Sequence, residues 1–194
     1  MGRVKKLKKS VSSVAKPLLK LDLACGANKR EGFIGVDRVK IDGIVDIVHD
    51  LTKYPWPFDN VSVEEVHCSH YVEHIPLAEF DGKDLFCCFI DELYRILIPT
   101  GKATIIAPWW NSVRSWQDPT HRRPISDATF LYFNKGWRVA NKLEHYPIVS
   151  DFDFAPAYIL DGVIVQRSEE TRTFWMKHYA NVINDIQVVL TKRE

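Results

Sequence analysis

The stretch Leu21-Asp22-Leu23-Ala24-Cys25-Gly26-Ala27-Asn28 decides how the rest of the chain is read. Leu21 and Leu23 alternate with Asp22, and the sequence then breaks into the small residues Ala24, Gly26 and Ala27. That pattern predicts a buried strand ending in a tight turn, where backbone approaches a ligand. Phe33 to Val36 predicts a second strand close behind it, ending on Asp37. An acid at the end of the second strand of a parallel sheet is placed to accept hydrogen bonds from ribose hydroxyls. The expectation is a nucleotide-type ligand over the carboxyl ends of the strands.

What is absent narrows the ligand. A dinucleotide site uses three glycines, a full helix facing the pyrophosphate, and an acid about 20 residues further on. Here Gly26 alone holds a glycine place, with Ala24 and Asn28 at the others. Asp37 follows Gly26 by 11 positions, too few for a full crossover helix. A cofactor without phosphate does not need that helix dipole. S-adenosylmethionine, an adenosine joined to a zwitterionic amino acid through a sulfonium, is such a cofactor.

The 194 residues suit one domain with a substantial core, here 17–194, behind a basic arm at 1–16. Hydrophobic content of 46% and charged content of 26% are those of an ordinary soluble protein. No apolar run reaches membrane-span length, and the first residues lack a signal-peptide pattern, so no membrane partner is expected. Cys25, Cys68, Cys87 and Cys88 show no CxxC spacing, which suggests reduced thiols and a cytoplasmic setting. Arg3, Lys5, Lys6, Lys8, Lys9, Lys16 and Lys20 open the chain without an acid, leaving 19 basic against 25 acidic groups in the remainder. Such an arm is read as solvated; contact with a nucleic-acid backbone is the alternative and is not favoured.

Along the chain, Pro17 to Ala24, Phe33 to Asp37, Ile44 to His49 and Val61 to Cys68 read as four strands. Leu77 to Leu97 carries a helical stripe through Phe80, Leu85, Phe86, Phe89, Ile90, Leu93 and Leu97, stopped by Pro99, Thr100 and Gly101. Lys102 to Ala107 is strand five. From 108 to 147 aromatics accumulate without periodicity, which predicts a lid inserted over a substrate. Ile148 to Phe154 is strand six, Ser168 starts a helix running to about Ala180, and Asp185 to Leu190 is the last strand. Alternating strands and connections define an α/β sheet with shortened early helices, thinly covered near strands two and three.

Four stretches carry a resemblance. LDLACGAN is followed by Asp50-Leu51 at the end of strand three, then PWPFDN, HCSHYVEHI and RILIPTGKATI in order. The last three are similar to "LPFPDNS", "S…LEHL" and "RVLKPGGxxxI" of class I S-adenosylmethionine-dependent methyltransferases. The chain thus resembles that family from Leu18 to Ala107, especially its compact type 11-like members. The resemblance implies a Rossmann-like seven-stranded, mostly parallel sheet whose antiparallel last strand lies between the fifth and sixth. It implies S-adenosylmethionine as cofactor. Asp22 and the backbone of Ala24, Cys25 and Gly26 would then surround the methionine part. Asp37 would take the ribose, Asp50 the adenine amino group, and the Leu51 N–H the ring. Ala24 and Asn28 replace glycines of the pattern.

His67, Cys68, His70 and His74 lie within eight residues, but strand alternation sends His67 and Cys68 to opposite faces and no second ligand pair is evident. No metal is expected; Ser69 and His70 are read as lining the methionine end. Methyl transfer from a sulfonium asks mainly for alignment, exclusion of water and removal of a proton. The lid segment SWQDPTHRRPIS offers His121 as the proton acceptor, oriented by Asp118, with Arg122 or Arg123 for an anionic part of the acceptor. His70 is the alternative base. Two other classes stay open: a catalytically silent binding or regulatory module on the same fold, and a nicotinamide-dependent oxidoreductase, disfavoured by the missing glycines.

Overall fold

The computed structural model describes residues 17–194; the basic arm at 1–16, and any nucleic-acid contact through it, lies outside the described residues. Seven strands form one sheet: β1 (Leu19–Leu23), β2 (Ile34–Asp37), β3 (Ile47–Val48), β4 (Val63–Ser69), β5 (Leu97–Pro108), β6 (Phe152–Leu160) and β7 (Ile183–Lys192). Their spatial order is β3-β2-β1-β4-β5-β7-β6. The pairs β1–β2, β1–β4, β2–β3 and β4–β5 are parallel, while β7 runs antiparallel to both β5 and β6. The antiparallel last strand between the fifth and sixth is therefore present as expected. No helix among the described residues is long and apolar enough to cross a membrane.

Central strands are buried on both faces, as a parallel sheet requires. Leu21, Leu23, Val36, Val63, Val66, Cys68 and Ala103 have no exposed surface. The crossovers β1–β2, β2–β3 and β3–β4 contain no helix. Loops replace them, and they sit close against the sheet. A Cβ on Gly35 of β2 would stand 2.7 Å from both the Ile44 carbonyl oxygen and Lys29 Cδ, so the position admits only glycine without rearrangement. Asp46 ties the same layer down, its carboxylate accepting from Gly35 N at 2.7 Å and Lys29 Nζ at 2.9 Å. Strand three, Ile47–Val48, is shorter than the Ile44 to His49 expectation: Ile44 and Val45 are held in a turn by the Ile41 carbonyl.

Helix α1 (Leu85–Ile96) anchors much of the rest. Its apolar stripe, Phe86, Phe89, Ile90 and Leu93, enters the core. Two buried acids on α1 reach outward to backbone. Glu92 accepts from Trp56 N at 2.8 Å and pairs with Arg95, whose guanidinium also bonds the Phe58 and Trp56 carbonyls. That arrangement holds the proline-rich loop in place without a helix. Asp91 accepts from Ser150 N at 2.9 Å and fixes the approach to β6.

Three further boundaries differ from the sequence reading. The helix expected from Leu77 begins only at Leu85. Before it, Glu79–Phe80 and Lys83–Asp84 form a hairpin around Asp81 and Gly82, both at positive φ, the backbone an Asp-Gly hairpin turn needs. Asp84 then caps α1, accepting from Phe86 N. Pro99-Thr100-Gly101 lies within β5 as an irregularity, with pairing to β4 shifting between Val63 and Glu65. Strand six runs Phe152–Leu160 rather than Ile148 to Phe154; it holds Pro156, which is tolerated because β6 is an edge strand.

The segment 108–147, expected as a lid, comprises α2 (Arg114–Gln117), a 3-10 helix (Asp127–Phe133) and α3 (Lys135–Ala140). Phe130 and Phe133 are buried in the core, and buried Arg138 donates to the Tyr132, Ile148 and Ser150 carbonyls. Helices α4 (Gly162–Val165) and α5 (Glu169–His178) join β6 to β7, with Ser168 capping α5 by accepting from Thr171 N.

Candidate active site

A cleft of about 630 Å³ opens at the carboxyl ends of β1 to β4, within the range of about 300–1,000 Å³ usual for small-molecule sites. This is where ligands bind in open parallel sheets. Ala24, Asp37, Asp50 and Leu51, four of the residues expected at a cofactor, line it together with Tyr71, His74, Thr120 and Arg122 from the far side.

The turn after β1 is built for close approach. Ala24 and Gly26 both have positive φ, 53° and 51°, and nothing lies within 4 Å of a Cβ placed on Gly26. A non-glycine residue in this region carries backbone strain, which concentrates at functional turns. Asp37 holds the turn from β2: its Oδ2 accepts from Gly26 N at 3.0 Å and its Oδ1 from Val39 N at 2.9 Å. Each oxygen keeps a further lone pair for a ligand. Asp50 accepts from the Thr52 N–H at 3.0 Å and the Thr52 hydroxyl at 2.7 Å, both through Oδ1. Burial works against its ionisation, but the Thr52 bonds and the Lys53 charge outweigh it and hold the carboxyl below its ordinary range.

Other expected residues stand outside the cleft wall. Asp22 is buried and accepts from Arg30 N at 2.7 Å, so it fastens the loop that replaces a helix. Cys25 is buried; that burial, reinforced by Asp22 and Asp37, pushes its thiol up and keeps it neutral. Ser69 ends β4 and pairs with Ile106. His70, at φ 53°, bonds its N–H to the Ile106 carbonyl, and its Nδ1 lies 3.4 Å from Glu73 Oε1. Glu73 raises the His70 pKa.

His121 lies beside the cleft between two residues that line it, Thr120 and Arg122. Its ring is oriented by the Ser115 carbonyl, which accepts from Nδ1 at 3.0 Å. The expected orienting role of Asp118 is not what brings His121 into place: Asp118 Oδ2 is 3.9 Å from His121 Nε2, beyond hydrogen-bond reach. Asp118 instead binds Thr120 through its N–H and hydroxyl. Arg122 reaches the cleft with its N–H bonded to the Glu73 carbonyl, whereas Arg123 turns away to pair with Asp84. The lid tryptophans are not among the cleft-lining residues; Tyr71 is the aromatic in its wall, and burial raises its phenol far above the usual range, so it stays protonated.

Sequence reasoning passed over Arg38, His49, Thr52 and Pro76, which also line the cleft. Arg38, His49 and Thr52 each adjoin or closely follow a strand-end acid, and that adjacency was the available signal.

No protein-family model matches the chain, and no curated protein matches it in sequence. Solved structures do. An S-adenosylmethionine-dependent methyltransferase from Archaeoglobus fulgidus superposes with a TM-score of 0.61 at 18% identity, over 91% of this chain and 86% of that one. A second, from Methanosarcina mazei, gives 0.52 at 11% identity, over 91% and 93%. The YcgJ protein of Bacillus subtilis gives 0.51 at 15% identity, over 92% and 93%. At these identities the likeness is one of fold: the chain has the Rossmann-like fold of class I methyltransferases.

Proposed function

We propose that this protein binds S-adenosylmethionine in the cleft and transfers its methyl group to an acceptor held beneath the lid. The observation that carries the reading is one cleft with Asp37, Asp50 and the strained Ala24 turn on one side and His74, Thr120 and Arg122 on the other. The order of PWPFDN, HCSHYVEHI and RILIPTGKATI along the chain supports a compact type 11-like member.

The donors and acceptors present fit the cofactor. Asp37 would hold the ribose hydroxyls, Asp50 and the Leu51 N–H the adenine, and the backbone of Ala24 to Gly26 the amino-acid end. When bound, the cofactor supplies a methyl group already activated on a sulfonium. The chain's own task is positioning. The lid places Arg122 where it can meet an anionic acceptor, and the β4 turn and the lid bring two imidazoles, His74 and His121, to that end. The His121 Nδ1–H is committed to a carbonyl, so Nε2 carries the lone pair that can take the acceptor's proton.

Calorimetry and thermal shift with S-adenosylhomocysteine and NAD test the cofactor assignment. Binding and stabilisation by the homocysteine compound and none by NAD is expected. Stabilisation by NAD alone, or by neither, refutes it. Release of S-adenosylhomocysteine in a screen of metabolite pools separates a working enzyme from a silent module.

A further inference from the structure

Three potential metal ligands meet at the inner edge of the lid. Glu73 and His74 belong to the turn after β4, and His121 comes from the lid after β5. One ligand atom from each lies within 4.8 Å of the others. The two rings touch edge to face, centroids 4.7 Å apart. Sequence spacing concealed the set because its third member arrives from beyond β5.

The hydrogen-bond logic fixes which nitrogens are free. Thr120 Oγ1 donates its single proton to Asp118 Oδ1 at 2.7 Å, so towards His74 Nδ1, 2.9 Å away, it can only accept. His74 therefore carries its proton on Nδ1. The Ser115 carbonyl imposes the same on His121. Both neutral rings present an Nε2 lone pair, each with its other nitrogen anchored to an oxygen. Metal-bound histidines are held in this way, the outer partner setting tautomer and ring direction.

Glu73 supplies a second and independent observation. Its side chain is 2% exposed, and neither Oε1 nor Oε2 has a hydrogen-bonding partner. The 3.4 Å contact from His70 Nδ1 is an unaligned charge interaction. Pinning the lid would explain the two Nδ1 contacts. It does not explain a buried carboxylate that accepts no hydrogen bond and whose charge is met in part by one half-exposed imidazole at 3.4 Å.

We propose that Glu73, His74 and His121 form a binding site for a divalent transition-metal ion of the zinc type. Two imidazoles and one carboxylate suit Zn²⁺, Co²⁺ or Fe²⁺, whereas Mg²⁺ and Ca²⁺ favour oxygen cages. Three protein ligands leave a coordination position open, as catalytic zinc sites do. His74 lines the cleft, so that position serves the acceptor end, and the ligand class it fits is an oxygen-bearing acceptor such as an alcohol or phenol. This assignment of the acceptor rests on the methyltransferase reading; the metal affinity does not. With the ion bound, the His121 lone pair is a ligand rather than a base, and the acceptor's proton is lost to solvent through the lowered pKa of its hydroxyl.

The test uses the full chain, stripped with a chelator that is then removed. Zn²⁺ is titrated against a chromophoric competitor, Co²⁺ binding is followed by visible absorption, and S-adenosylhomocysteine binding is measured on the same samples. One Zn²⁺ per chain, undisturbed by excess Mg²⁺, is expected. Glu73→Gln and His121→Ala should each weaken Zn²⁺ binding at least 100-fold. Thr120 is exposed, so Thr120→Val gives a folded variant even if those two fail; it removes no ligand, only the hydroxyl that joins His74 to Asp118, and should weaken Zn²⁺ by about 10–100-fold. Absence of Zn²⁺ binding, or affinity unchanged in Thr120→Val and in any folded Glu73 or His121 variant, overturns the proposal. In the unsubstituted chain, absence of Zn²⁺ binding with S-adenosylhomocysteine bound sinks the metal site alone; Zn²⁺ binding without S-adenosylhomocysteine binding sinks the cofactor reading alone.

Discussion

Replacing Asp37 separates its two duties. The carboxylate already accepts from Gly26 N and Val39 N, at 3.0 and 2.9 Å, so it holds the turn after β1 whether or not a ligand is bound. Those bonds use two of about four acceptor positions, and the remaining two are what a ribose diol can occupy. Asp37→Ala should weaken S-adenosylhomocysteine binding by about 1.5–3 kcal/mol, the scale of hydrogen bonds to a charged group, or about 10- to 150-fold. It should also cost about 1–3 kcal/mol of stability, because two backbone N–H groups lose a protein acceptor for water. For a chain of this size that lowers Tm by about 2–12 °C. Asp37→Asn is not a silent control: its carbonyl can still serve Val39, but its amide then opposes the Gly26 N–H, donor against donor. Calorimetry well below Tm measures the affinity, and denaturant melts measure the stability. To separate a ribose contact from a loosened turn, adenosine is compared with 2′,3′-dideoxyadenosine. The natural protein should prefer adenosine, and Asp37→Ala should lose that preference. A folded Asp37→Ala protein with unchanged affinity and unchanged preference would remove Asp37 from the site.

Two further substitutions probe the scaffold and the adenine end. Gly35→Ala should destabilise by about 1–3 kcal/mol in chemical denaturation, because Lys29 can swing away from the new methyl group but the Ile44 carbonyl cannot; unchanged stability would mean the loop slides freely over β2. Thr52→Val removes the hydroxyl that helps hold the Asp50 carboxyl low against its burial. A carboxyl with a depressed folded pKa contributes stability that is present above its unfolded value of about 3.9 and is lost as pH falls through the folded value. In Thr52→Val the Asp50 resonance should titrate at higher pH, and the stability that Asp50 contributes above its unfolded value and loses in acid should be smaller; an unmoved titration would refute the role of Thr52.

The central sheet was legible because its signals are local. Leu21 and Leu23 flank Asp22 in a short apolar run, small residues follow, and Asp37 and Asp50 each close a strand, so strand identity and strand-end chemistry coincide in the sequence. The misread boundaries have local causes of another kind. Asp81-Gly82 is a hairpin turn set inside residues that also satisfy a helical stripe, so the period of Phe80 and Leu85 hid it. Ile148 carries strand-like residues into a segment that Asp91 and Arg138 hold as a loop from other parts of the chain. Tertiary anchors of that sort leave no periodic trace.

The site divides along the same line. Its strand-end half, with Asp37, Asp50 and Leu51, could be read from residues in order. Its other half depends on how segment 108–147 meets the β4 turn, through Arg122 N to the Glu73 carbonyl and Thr120 to His74, and the start of α1, through Arg123 to Asp84. None of those pairs is near in sequence. The short early crossovers make this half more important, because no helix flanks the cleft over β1 to β3 and Thr120 and Arg122 supply part of its far wall. The contact of Thr120 with the turn that carries Glu73 and His74 gives the His74 ring a fixed partner. The same fastening explains why Asp118, close to His121 in sequence, serves it less directly than Ser115 does: the segment is shaped by its contacts with β4 and β5, and His121 takes its orientation from the backbone it was folded against.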